Sequence, residues 1–171
     1  MLRKSFILIL AGFMLAACAN SPFGDQADQQ IYLVRHAEKE PGRDPQLTPD
    51  GRVRANALAE RLSKAGLGAI YSTNFRRTRQ TAGPIALATE IPVIFYDASE
   101  LDEFARQLRG QSGNILVVGH SNTTPDLAAA LGGEAGAPII EASEYDRLYV
   151  LTIKDGIVTT DIQRFGAPSV N

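Results

Sequence analysis

The sequence predicts an α/β three-layer sandwich: a mostly parallel sheet with helices on both faces and a C-terminal β-hairpin. Three observations carry this. Short apolar runs recur at 31–34, 69–71, 92–96 and 115–118, each readable as a buried strand. Segments with helix-start signals lie between them, and strands alternating with helices imply a sheet covered on both faces. Near the end, Leu148 to Ile153 and Ile157 to Ile162 flank Asp155-Gly156, a two-residue hairpin signal.

Each element follows from its residues. Ile31-Tyr32-Leu33-Val34 is the first strand. Thr48-Pro49-Asp50 then supplies an N-cap, a proline at the first helical position and an acid in the first turn. Val53, Ala57 and Leu62 line one face of that helix, which ends near Gly66. Ala69-Ile70-Tyr71 is the second strand. A helix starts near Arg76, and Gly83-Pro84 is expected to kink or break it. Pro92 to Tyr96 is the third strand and Ser99 to Leu108 the next helix. Ile115 to Val118 is the most apolar strand, and Thr124-Pro125-Asp126 repeats the capped helix start.

The 171 residues suit one domain with a real core. The N-terminus reads as separate from it. Arg3 and Lys4 precede an apolar run from Phe6 to Ala17, too short to span a bilayer and proportioned like a secretory signal. Leu15-Ala16-Ala17-Cys18 resembles a bacterial lipobox, which makes Cys18, the only cysteine of the chain, the expected lipidation site. The expected organisation is a lipoprotein signal at 1–17, a lipidated cysteine and polar tether at 18–30, and a folded domain at 31–171. Ala19 stands where inner-membrane retention would often place Asp. An exported protein is therefore expected, anchored by its lipid and facing the periplasm from the outer membrane where the host has two membranes. Setting aside Arg3 and Lys4 leaves 15 bases against 19 acids. That argues against a nucleic-acid partner, which wants a basic face.

Ligands of such sheets sit at the carboxyl ends of strands, near a switch in strand order. Both histidines of the chain fall there. His36 follows the first strand in Val34-Arg35-His36-Ala37-Glu38, and His120 follows the fourth in Val118-Gly119-His120-Ser121-Asn122. After the second strand, Arg76, Arg77 and Arg79 open a helix. Cations oppose the dipole at that end, which suits a bound anion that compensates both.

In order along the chain, Arg35-His36, Leu47-Thr48 with Gly51, Arg77-Thr78-Arg79-Gln80-Thr81-Ala82 and Gly119-His120-Ser121-Asn122-Thr123 resemble the motifs of the histidine phosphatase superfamily, the phosphoglycerate-mutase-like fold. The usual glycine after the first histidine is Ala37 here. The resemblance implies a phosphomonoester hydrolase that forms a phosphohistidine on His36. Arg35, Arg77 and a protonated His120 would grip the phosphoryl oxygens, with help from the helix start at Ser121. It implies no metal and no cofactor, and a phosphorylated small molecule, glycan or protein as substrate.

A leaving oxygen needs a proton. Many relatives place a glutamate after the third strand, which points here to Glu100, with Asp97 next; the alternative is that these acids cap the following helix. Arg76 and Arg79 are either surface residues or substrate contacts, and Glu38 reads as a structural partner. Only Glu38 to Leu47 separates His36 from the first helix. That leaves no room for a lid that would hold a phosphoenzyme from water, so hydrolysis is favoured over phosphoryl transfer. The rival from another class is a non-catalytic surface lipoprotein that binds phosphorylated ligands on the same fold.

Overall fold

In a computed structural model, the structure describes residues 28–169. The signal segment, Cys18 and most of the tether lie outside the described residues. The elements are β1 (Gln29–Arg35), α1 (Pro49–Leu62), β2 (Leu67–Ser72), α2 (Arg76–Thr89), β3 (Val93–Phe95), α3 (Leu101–Arg109), β4 (Asn114–Gly119), α4 (Thr123–Ala130), β5 (Arg147–Lys154) and β6 (Ile157–Arg164). They form one six-stranded sheet in the order β3-β2-β4-β1-β5-β6. β1 to β4 pair in parallel, while β5 runs antiparallel to β1 and β6 to β5.

Alternation along the strands sorts the core into two layers. Ile31, Leu33, Ile115 and Val117 face Phe104 and Leu108 of α3 and Leu127 of α4. Tyr32, Val34, Leu116 and Val118 face Leu58 and Leu62 of α1 and Ala82 and Ile85 of α2. The fold is therefore the expected sandwich. The hairpin closes at Asp155 (φ 50°) and Gly156 (φ 77°), the left-handed pair that a two-residue turn requires.

Three local expectations are corrected. Pro84 does not break its helix, because α2 runs unbroken from Arg76 to Thr89. The carbonyl that loses its partner is that of the exposed Gln80, within reach of water, and Ala82 and Ile85 hold the flanking turns in the core. Val53 is exposed; the inward face of α1 is Gly51, Ala55, Leu58, Ala59 and Leu62. Here Gly51 is needed, since a Cβ would lie 2.1 Å from the Glu38 carbonyl oxygen. α4 begins at Thr123 after Asn122, so Thr124 lies inside the helix and does not cap it.

Candidate active site

β1 and β4 are adjacent, and the chain leaves them toward opposite faces of the sheet. Their carboxyl ends therefore form the switch point. The His36 amide donates to the Gly119 carbonyl (2.9 Å), and the rings of His36 and His120 stand 5.6 Å apart, edge to face. Both line an open hollow of about 390 Å³ together with Lys39, Phe75, Arg77, Ala98, Ser121 and Glu141. A larger hollow of about 470 Å³ beside α1, bordered by Gln30, Arg61 and Gln163, contains no histidine.

His36 is buried, and its Nδ1 lies 2.8 Å from the Ala37 carbonyl. A carbonyl only accepts, so in the neutral ring Nδ1 carries the proton and Nε2 the lone pair. Burial, with lesser help from the positive Arg35 and Arg77, pushes the His36 pKa down to about 3. The ring is thus neutral at ordinary pH. Ala37 has no positive φ, so the departure from glycine costs no strain there. Its amide donates to Thr81 Oγ1 (3.0 Å), and Thr81 in turn donates to the Arg77 carbonyl.

The tautomer of His120 follows from its neighbours. The Thr78 hydroxyl donates to the Thr73 carbonyl (2.8 Å), and the Thr73 hydroxyl donates to Thr78 Oγ1 (3.0 Å). Thr73 Oγ1 is then left to accept from His120 Nε2 at 3.0 Å. His120 Nδ1 carries the lone pair and takes Arg77 Nη2 at 3.3 Å. Burial first, and Arg77 second, lower the His120 pKa to about 4. Without an anion His120 is therefore neutral, and the expected protonated form would need a bound phosphate to offset Arg77.

Arg77 lies 4.5 Å over the Phe75 ring and 4.0 Å from Asp44. Asp44 also accepts the Arg76 amide (2.8 Å), so a carboxylate from the 37–48 loop occupies the α2 N-terminus, where the sequence suggested a bound anion. The side chains of Arg76 and Arg79 are exposed and do not line the hollow.

Arg35 is 1% exposed and turned to the 140–144 segment. Nη1 donates to the Glu144 carbonyl and Nη2 to the Glu141 carbonyl, both at 2.8 Å, and Tyr145 stacks at 4.0 Å. Its Nε is buried without a hydrogen-bond partner, as is that of Arg77. The segment is fixed by the Glu144 carboxylate, which pairs with Arg147 (2.6 Å) and Arg164 (2.7 Å). Among the described residues no group of three or more His, Cys, Asp or Glu could hold a metal ion.

Neither expected acid lines the hollow. Glu100 borders a separate one with Asp126, and Asp97 is exposed and accepts from the Ser99 amide and hydroxyl. Sequence reasoning missed Lys39, Thr73, Phe75 and Glu141. Thr73 and Phe75 lie just before the arginine segment and Lys39 just after His36, so proximity to the motifs was a usable signal. Glu141 sits in an irregular stretch without periodicity, and no pattern marked it.

Residues 31–105 match the family model of the histidine phosphatase superfamily, branch 1. Phosphoserine phosphatase 1 of Hydrogenobacter thermophilus is 42% identical over 76 residues, covering 40% of this chain and 36% of that protein. The chain thus spans about a third of the length of that curated relative. The protein histidine phosphatase SixA, solved with tungstate, superposes with a TM-score of 0.65 at 17% identity over 79% of this chain and 96% of that one. Mycobacterial glucosyl-3-phosphoglycerate phosphatase gives 0.58 at 14% identity over 83% and 100%. Residues 31–105, somewhat under half of the chain, thus match the histidine phosphatase superfamily, and the solved phosphatases share the fold of the chain.

Proposed function

We propose that this protein is a phosphomonoester hydrolase that acts through a covalent phosphohistidine on His36. One observation carries the reading: His36 is neutral, with Nδ1 tied to the Ala37 carbonyl, and lines a hollow shared with Arg77 and His120. Nε2 is then free to attack phosphorus. Phosphoryl transfer asks mainly for positioning and charge. Arg77 supplies a forked donor, Arg35 a second cation behind the hollow, and Lys39 a third at its edge. A dianion beside His120 favours its imidazolium, which would add another donor; the Ser121 region contributes the start of α4. No metal takes part in this chemistry.

Hydrolysis is preferred to phosphoryl transfer because the hollow is open, so water reaches the phosphoenzyme. Phosphoserine phosphatase and glucosyl-3-phosphoglycerate phosphatase are named for small phosphate esters, and SixA for phosphohistidine in proteins. An open site accommodates either class, or a phosphorylated glycan. The lipobox-like Leu15 to Cys18 supports an exported enzyme held on a membrane by lipid at Cys18.

The test is hydrolysis of 4-nitrophenyl phosphate by the detergent-solubilised full chain in EDTA, beside His36→Ala. Metal-independent turnover that disappears in the variant is expected. Equal rates in both proteins contradict the reading. Phosphate binding without turnover across several esters favours the binding-only lipoprotein.

A further inference from the structure

Glu141 is the one carboxylate, among the described residues, that lines the hollow with both histidines. It enters from the turn between α4 and β5. Its Oε2 stands 3.0 Å from Arg35 Nη2 and accepts the Ser121 hydroxyl. Its own side chain is 64% exposed while that of Arg35 is 1% exposed, so the carboxylate covers the cation from the solvent side. A phosphoryl group that reaches for Arg35 must displace it. The freed carboxyl then stands beside the phosphoryl group, where it can carry a proton to the leaving oxygen.

We propose that Glu141 is the proton donor to the leaving oxygen. This rests on the phosphohistidine reading. In the first step His36 Nε2 forms the N–P bond as the ester P–O bond breaks. The electron pair goes to the leaving oxygen, which takes the Glu141 proton and departs as an alcohol. In the second step water attacks phosphorus and gives a proton to the Glu141 carboxylate. The N–P bond breaks, its electron pair returns to Nε2, and orthophosphate leaves with the carboxyl regenerated.

An acid matters most when the leaving oxygen is basic. The full chain in detergent is assayed on glycerol 2-phosphate, an alkyl ester, and on 4-nitrophenyl phosphate, whose leaving group needs little protonation. Glu141→Gln is expected to lower kcat/KM on the alkyl ester by about a hundredfold or more, and on the aryl ester at least tenfold less. Glu100→Gln, the comparison, is expected to keep the wild-type ratio between the two substrates. Equal losses on both esters in Glu141→Gln, or a changed ratio in Glu100→Gln alone, overturns the assignment. If the wild type hydrolyses neither ester, the phosphatase reading fails first and the assignment falls with it.

Discussion

The Glu38 carboxylate, two residues beyond His36, is held by Arg54 of α1, with Nε at 2.9 and 3.0 Å and Nη2 at 2.7 Å. Arg54 is buried, and its Nη1 also ties down the carbonyls of Phe165 (3.0 Å) and Ala167 (2.8 Å). One guanidinium therefore joins the loop after His36 to the C-terminal segment. Arg54→Met strands a partly buried carboxylate and two carbonyls, and should cost about 2–4 kcal/mol. A urea midpoint reads it directly. Glu38 is expected to matter through stability, so Glu38→Gln should lose turnover in step with its folded fraction.

Gly51 carries the same loop from the other side. Thr48 Oγ1 accepts the Gly51 amide (3.0 Å), and the Thr48 amide donates to the Glu38 carbonyl (3.0 Å). Because a Cβ at position 51 would overlap that carbonyl, Gly51→Ala must move the loop or the helix start. A loss of about 1–3 kcal/mol is expected. Melting temperature and phosphate-dependent stabilisation should fall together.

The two histidines make stability depend on pH, with a definite sign. Their pKa values in the fold are lowered from 6.5 to about 3 for His36 and about 4 for His120. Between 6.5 and those values the unfolded chain binds more protons than the folded one. Stability is complete above 6.5 and falls as pH drops through the window, by an amount on the order of a few kcal/mol. Unfolding of wild type and of His36→Gln/His120→Gln at pH 7.5 and 4.5 checks this: the variant should lose less. Bound orthovanadate should also reduce the loss in the wild type, because it favours imidazolium at His120.

Arg77 is expected to grip the phosphoryl group with a fork that lysine cannot reproduce. Arg77→Lys should weaken orthophosphate or orthovanadate binding by about tenfold or more, the scale of one lost charge-assisted hydrogen bond. Calorimetric titration measures it. Arg79→Lys, whose side chain is exposed, should bind as the wild type does.

Much of the fold was legible because strands and helices carry distinct periods. The run 115–118 reads as a buried strand by its length and β-branched residues, and Asp155-Gly156 as a hairpin turn, and the structure has both. Both histidines and Arg77 were legible because short motifs sit where chain direction changes. Other features depend on tertiary contact. Pro84 looked like a breaker, yet the packing of Ala82 and Ile85 outweighs one missing hydrogen bond. Val53 looked inward because valine is apolar, while Gly51 and Ala55 are the residues small enough for the close face of α1. Glu100 looked like the acid by its position after a strand, and the structure turns it to another hollow. Glu141 is more than a hundred residues from His36, and only the path of the 131–146 segment brings it there.

The central claim is a covalent bond between phosphorus and His36. The most direct measurement is acid quenching of the full chain within milliseconds of mixing with 32P-labelled substrate, followed by peptide mapping under mildly alkaline conditions that preserve phosphohistidine. The account predicts a label on the peptide that holds His36, lost on acid treatment and absent in His36→Ala. Turnover with no label at His36, or a label that survives in His36→Ala, would contradict it.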